Sequence, residues 1–194
     1  ELGNIGISRA ARQLAVLLDD EVKMDIPQVE LVSSKEMQNS LQIRSGELAC
    51  VYQEISGELS GRAAILVHSE DSRVLFNTLI RDAASLGVID LRSYEHEALT
   101  EIGNIIISSC ISAMADMLQQ QITISAPRYD EATLDVLFGI DNKVDTNHRA
   151  LLIHSTLVAT RRKVTGRILL LLSAGPTQRI LEKLLHIGEK EIVK

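Results

Sequence analysis

Apolar and polar positions along this chain switch between a helical and a strand period, and the order of the switches occurs twice. Residues 1–19 place Leu2, Ile5, Ala11, Leu14, Ala15 and Leu18 on or near one helical stripe. Val22-Lys-Met24-Asp-Ile26 then alternates with period two, which predicts a strand. Pro27 ends or edges that strand, because it has no N–H to give to a ladder. Ser33-x-x-Glu36 has the form of a capping box that opens a short helix. Leu48–Ile55 and Arg62–His68 read as two strands joined around Gly57, and Ser69–Ala84 as a helix with Val74, Leu75, Leu79 and Ile80 apolar.

The second half repeats this order. Asp90 is placed to cap a long helix over about Leu91–Leu118. Ile122-Thr-Ile124-Ser-Ala126 alternates and Pro127 follows it; Ala150–Thr160 and Gly166–Leu172 read as strands, and Pro176 suits the first turn of a helix to about Leu185. Ser60-Gly61-Arg62 matches Thr165-Gly166-Arg167, and Arg73-Val74-Leu75 matches Arg179-Ile180-Leu181. Each half thus reads as long helix, strand, short helix, two strands, helix. The halves cover about 1–86 and 90–190, and the short Ser85–Asp90 connection predicts one compact unit over 1–194. Strands that follow one another through turns pair antiparallel. The expected fold is α/β of the α+β type: a mostly antiparallel sheet with two long helices on one face, related by a pseudo-two-fold axis. The almost wholly apolar Arg167–Leu172 predicts a strand buried on both faces.

The duplication also kept something that a core does not need. Glu1-Leu-Gly-Asn4 and Glu101-Ile-Gly-Asn104 lie 100 residues apart, and each Asn is followed 23 positions later by a proline, Pro27 or Pro127. The chain has three prolines in all, so two of them keep this register. Residues three apart share a helix face. Glu1 therefore projects with Asn4, and Glu101 with Asn104, while Ser8 and Ser108 extend each stripe. A carboxylate can pair with a partner's lysine, and an amide side chain carries both a donor and an acceptor. Such an amide can orient water for attack on phosphorus without itself taking the proton. A single E-x-x-N would be a solvated helix face; two copies with matched prolines mark a functional one.

Composition narrows the alternatives. The chain has 194 residues and a net charge of −6, with 45% apolar residues, no Trp, three Tyr and two Phe, so its core is aliphatic. The basic trio Arg161-Arg162-Lys163 is short and reads as a solvated hairpin turn, which leaves no nucleic-acid footprint. No apolar run has membrane-spanning length. Cys50 and Cys110 sit in apolar runs far apart, as free buried thiols of a reducing compartment would, so a cytoplasmic location is expected. The five His are scattered, His96 on a helix surface and His154 in a strand, without the spacing of a metal site. No G-x-S-x-G marks a nucleophilic serine. The chain starts without Met inside a predicted helix, so a natural stretch is expected before Glu1, with the first motif seen truncated.

The doubled E-x-x-N with its distant proline resembles the CheC/CheX/FliY family of response-regulator phosphatases; two copies and a length near 200 are most like CheC. The likeness covers nearly the whole chain. It implies a protein that binds a phosphorylated CheY-like receiver domain and speeds hydrolysis of its aspartyl phosphate. By that resemblance Glu1 and Glu101 anchor the receiver, and Asn4 and Asn104 orient the attacking water. The chain would need no cofactor of its own, the Mg²⁺ belonging to the receiver. A CheD-like deamidase is a further implied partner, and the oligomeric state stays open. The family motif usually has Asp or Ser four residues before the Glu; here Glu97 stands there in the second copy, one turn from Glu101. That extra negative charge would weaken docking near a phosphate or suit a different receiver. The alternative is a non-catalytic binding module for a receiver, a CheD-like protein or the flagellar switch.

Overall fold

The computed structural model describes residues 11–16, 18–26, 28–41, 43, 46–57, 60–79, 91–118, 121–133 and 149–173. Eight strands form one sheet: β1 (Val22–Met24), β2 (Gln28–Ser33), β3 (Leu48–Gly57), β4 (Gly61–His68), β5 (Ile122–Ile124), β6 (Arg128–Ala132), β7 (Arg149–Ala159) and β8 (Val164–Ser173). Helical segments are α1 (11–16), α2 (Ser34–Leu41), α3 (Ser69–Leu79) and α4 (Leu91–Leu118). The sheet order is β1-β7-β8-β4-β3-β5, with β2 also on β7 and β6 also on β3, and every pairing is antiparallel. The mixed α/β architecture with an antiparallel sheet therefore holds.

The internal duplication is written into the register. β4 pairs with β8 at the centre: Gly61 faces Leu172 and Val67 faces Gly166. Exchanging each residue for its counterpart (Gly61 for Gly166, Val67 for Leu172) turns one pair into the other, and Ala64 opposite Leu169 maps onto itself. Farther out, Ile55 opposite Ile124 corresponds to Leu157 opposite Met24, and Tyr52 opposite Arg128 to His154 opposite Gln28. Each half lends its edge strands to the other half's sheet: β1 and β2 lie on β7, β5 and β6 on β3.

Here the structure corrects the sequence reading. A second strand follows each proline position, so β2 and β6 were absent from the predicted order. Pro127 lies in a break of the edge, and β6 resumes the pairing with β3 beyond it. Gln53 and Glu54 of β3 face the three residues 125–127, since Ile55 pairs with Ile124 and Tyr52 with Arg128. One extra residue on an edge strand is a β-bulge, a place where a proline's missing N–H costs no ladder bond. On β7, Ser155 and Thr156 lie between Leu157, which pairs with Met24, and His154, which pairs with Gln28. The short helix expected in the second half, the helix after Pro176 and the cap at Asp90 lie outside the described residues.

Alternation along the strands builds a core on each face of the sheet. One joins Val51, Ile55, Ala63, Ile65, Ile168, Leu170 and Leu172 to Ile102, Ile106, Ile107 and Ile111 of α4, and to Leu14 and Leu18. The shared cluster and the hydrogen bond from Ser109 Oγ to Gln13 Oε1 set α1 against α4. The opposite face packs Met37 and Leu41 of α2 on Leu48, Cys50, Leu66, Leu152 and Leu169. α2 opens with the expected capping box: Ser33 donates from N and from Oγ, each at 2.8 Å, to Glu36 Oε2. Both cysteines are buried free thiols, and burial pushes each up to about 12, so neither is a thiolate nucleophile.

Candidate functional site: a helix stripe above an edge bulge

α4 presents Glu97, Glu101, Asn104 and Ser108 in successive turns of one stripe. Glu97 and Glu101 are exposed and Asn104 is half-buried, while Ile102, Ile106 and Ile107 face the core. Gly103 makes the close approach possible. A Cβ at that position would lie 2.4 Å from Val51 Cγ1 and 2.5 Å from Val51 Cβ, so any larger residue would lift the helix from β3.

That approach brings Asn104 onto Gln53, two residues along β3 from Val51 and on the same face. Gln53 is 2% exposed, a polar side chain between the buried Val51 and Ile55. Its Nε2 donates to Asn104 Oδ1 at 3.2 Å and to the Ser125 carbonyl at 2.7 Å, and its Oε1 has no hydrogen-bond partner among the described residues. The bonds fix both amide orientations. A backbone carbonyl only accepts, so the Gln53 atom beside Ser125 is the nitrogen. Asn104 must then turn its oxygen to that nitrogen. Ser108 Oγ also donates to Asn104 Oδ1, at 3.4 Å. With Oδ1 engaged inward, the hydrogens of Asn104 Nδ2 have no partner among the described residues and are left for whatever approaches the stripe.

The constant distance from motif to proline thereby acquires a physical reason. The bulge frees the Ser125 carbonyl from the ladder, and Gln53 joins that carbonyl to Asn104. In the other half the counterpart of Gln53 is Ser155, whose Oγ donates to the Asp25 carbonyl at 2.8 Å. Glu1, Asn4 and Ser8 lie outside the described residues. Nearby, His96 of α4 stacks on Tyr129 of β6 with ring centroids 4.2 Å apart, tying the helix to the edge strand beyond the bulge. Burial, helped by Glu131 and Glu95, pushes the Tyr129 phenol above its usual range and keeps it neutral. His154 is a buried strand residue beside Glu30 at 3.2 Å, remote in the sheet from this stripe. Gln53 was not among the residues singled out from sequence. Its signal was present in Val51-x-Gln53-x-Ile55, where a polar residue breaks an apolar alternation.

A long helix with an accessible Glu-x-x-Asn face on an antiparallel sheet defines the site, and known proteins resemble it in sequence and in fold. The CheC-like family matches residues 95–129, the segment that runs from the helix turn before Glu97 through Pro127 to Tyr129. The CheY-P phosphatase CheC of Bacillus subtilis is 29% identical over 143 residues, 72% of this chain and 65% of that protein, so the match spans a little under two thirds of the relative. The fold is similar to Thermotoga maritima FliY, with a TM-score of 0.67 at 17% identity over 93% of this chain and 90% of that one. It is also similar to CheX in the CheX–CheY–BeF3–Mg²⁺ complex from Borrelia burgdorferi, with a TM-score of 0.56 at 14% identity over 87% of this chain and 96% of that one. The segment that carries the second motif is thus similar to the CheC-like family, and the fold to FliY and CheX.

Proposed function

We propose that this protein hydrolyses the aspartyl phosphate of a CheY-like receiver domain. The observation that carries the reading is the pairing on α4 of an exposed Glu101 with an Asn104 whose amide is held toward the approach side by bonds beneath it. The Bacillus subtilis relative is a CheY-P phosphatase, and the Borrelia burgdorferi CheX fold was solved with CheY, BeF3 and Mg²⁺. In the reaction, water oxygen forms a bond to phosphorus as the bond from phosphorus to the aspartyl oxygen breaks. The electron pair of that bond stays on the receiver's carboxylate, a water proton is released, and inorganic phosphate leaves. Glu101 anchors a receiver lysine and Asn104 holds the water, with Glu1 and Asn4 in the same roles on the first copy. Positioning of this kind replaces random encounter with a near-attack geometry. Mg²⁺ is the receiver's, and this chain contributes no metal ligand. A CheD-like protein is a second partner in this reading, and the cytoplasm is where it would meet both; among the described residues no helix is long and apolar enough to cross a membrane.

The test is phosphate release from a CheY-like receiver loaded by a small acyl-phosphate donor, with and without the protein. Faster release in its presence is expected. Unchanged release, with the receiver still bound, would replace catalysis by a docking role.

A further inference from the structure

We propose that Gln53 is the positioning residue of the second site, dictating which end of the Asn104 amide meets the substrate, and that it makes the two sites of this chain unequal. The inference rests on the phosphatase reading for what Asn104 does, but the geometry stands apart from it. Gln53 is buried in an apolar strand face and spends both amide hydrogens, one on the Ser125 carbonyl freed by the bulge and one on Asn104 Oδ1. Neither bond is needed to fill the core. Its own Oε1 is buried and has no partner among the described residues, which is a cost to stability that the apolar neighbours Val51 and Ile55 avoid. A polar group retained at a cost, and aimed at the motif asparagine, points to function.

The consequence is chemical. With Oδ1 drawn inward, Asn104 offers only N–H donors to the approach side. A donor holds water through one lone pair of its oxygen and leaves the other free to face phosphorus. An amide turned the other way would offer an acceptor and hold the same water by a hydrogen. Free rotation between the two would populate both; Gln53 removes that choice. Among the described residues the other half shows no such device. Ser155 stands at the register position of Gln53, has a single hydroxyl hydrogen, and gives it to the Asp25 carbonyl. It retains no donor for a second acceptor, so it cannot clamp a motif amide as Gln53 does.

Two measurements on the full chain test this. In the wild-type protein, side-chain amide hydrogen exchange should find the Gln53 Nε2 hydrogens protected and those of Asn104 Nδ2 exchanging rapidly. Protected Asn104 hydrogens beside rapidly exchanging Gln53 hydrogens would overturn the assignment whatever the activity. In an Asn4→Ala background, which leaves only the second site, Gln53→Leu should lower kcat on the phosphorylated receiver on the order of 10- to 100-fold, the scale of a misplaced reacting group, with KM unchanged. Adding Asn104→Ala should then slow it only to the level of Asn104→Ala alone, and not by the product of the two losses. If the Asn4→Ala protein accelerates release and adding Asn104→Ala abolishes it while adding Gln53→Leu retains full kcat, the positioning role is wrong and the phosphatase reading survives. If wild type gives no acceleration, the phosphatase reading fails, and the exchange pattern still decides whether Gln53 orients the asparagine.

Discussion

At the scale of single residues, Glu101 and Asn104 share one helix face, and the proposed reaction gives them different work that kinetics can separate. An asparagine that acts only on the water makes its contact in the transition state. In a chain carrying Asn4→Ala, Asn104→Ala is expected to lower kcat about 10²–10³-fold, equivalent to ~2.7–4 kcal/mol for one preorganised donor, with receiver affinity nearly intact. Glu101→Ala would remove the proposed ion pair with the receiver, made in both ground and transition states, so it should raise KM with kcat little changed. Steady-state kinetics across a range of phosphorylated receiver concentrations gives both numbers. A rise in KM for the asparagine variant and a loss of kcat for the glutamate variant would exchange their roles. Glu97 stands exposed one turn before Glu101, where the family usually has Asp or Ser. The motif asparagine was legible in the sequence because it recurs. Gln53 was not, because its partner lies 51 residues away and only strand pairing brings them together.

At the scale of elements, two junctions set the site. The first is the seat of α4 on β3. Gly103→Ala places a methyl within 2.5 Å of Val51, and relief requires the helix to rise or Val51 to move. Overpacking of this kind costs ~1–3 kcal/mol. A lowered Tm is expected together with loss of the Asn104–Gln53 bond, and Val51→Ala in the same chain should restore part of both; thermal melts and side-chain amide exchange measure them. The second junction is the turn between β7 and β8. The trio Arg161-Arg162-Lys163 was read as a solvated turn, but two of its members are engaged. α1 runs out through Asp19, whose φ of 43° lies in the left-handed region, and this delivers Asp20 to the turn. Asp20 is fully buried and accepts from Arg161 N at 3.0 Å, Arg161 Nε at 3.3 Å, Arg162 N at 3.2 Å and Arg162 Nη1 at 3.1 Å. Burial works against its charge, but these bonds outweigh it and hold the carboxyl at about 2, below its ordinary 3.8. A depressed carboxyl stabilises the fold above its unfolded value. That contribution is therefore present above about pH 3.8 and is lost as pH falls toward about 2. Denaturant midpoints should show Asp20→Asn less stable than wild type near neutrality, with the difference shrinking over that window; a constant difference across it would remove Asp20 from the acid response.

At the scale of the whole molecule, duplication has given a sheet in which each half completes the other, centred on Ala64 opposite Leu169. Symmetry of backbone did not enforce symmetry of chemistry: at equivalent bulges one half has Gln53 and the other Ser155. Asn4→Ala and Asn104→Ala singly should each leave activity, the second removing more of it, and the two together should abolish it. Phosphate release by the four proteins checks this. Full activity in the double variant would leave the motif as a docking surface only.

The sequence by itself determined most of the element order. Periods of hydrophobicity located α4 from Leu91 to Leu118, the strands β3, β4, β7 and β8, and the capping box at Ser33, because each depends on neighbours within a few residues. Repetition located the motif, because a helix face is set by local spacing. Only the tertiary structure decided that a second edge strand, β6, resumes after Pro127 across a bulge, since a bulge is defined by the strand opposite. It alone decided that Asp20 locks a distant turn, and that Gln53 turns the Asn104 amide. Those bonds join residues remote in sequence, and their geometry exists only once Gly103 has let the helix settle on the sheet.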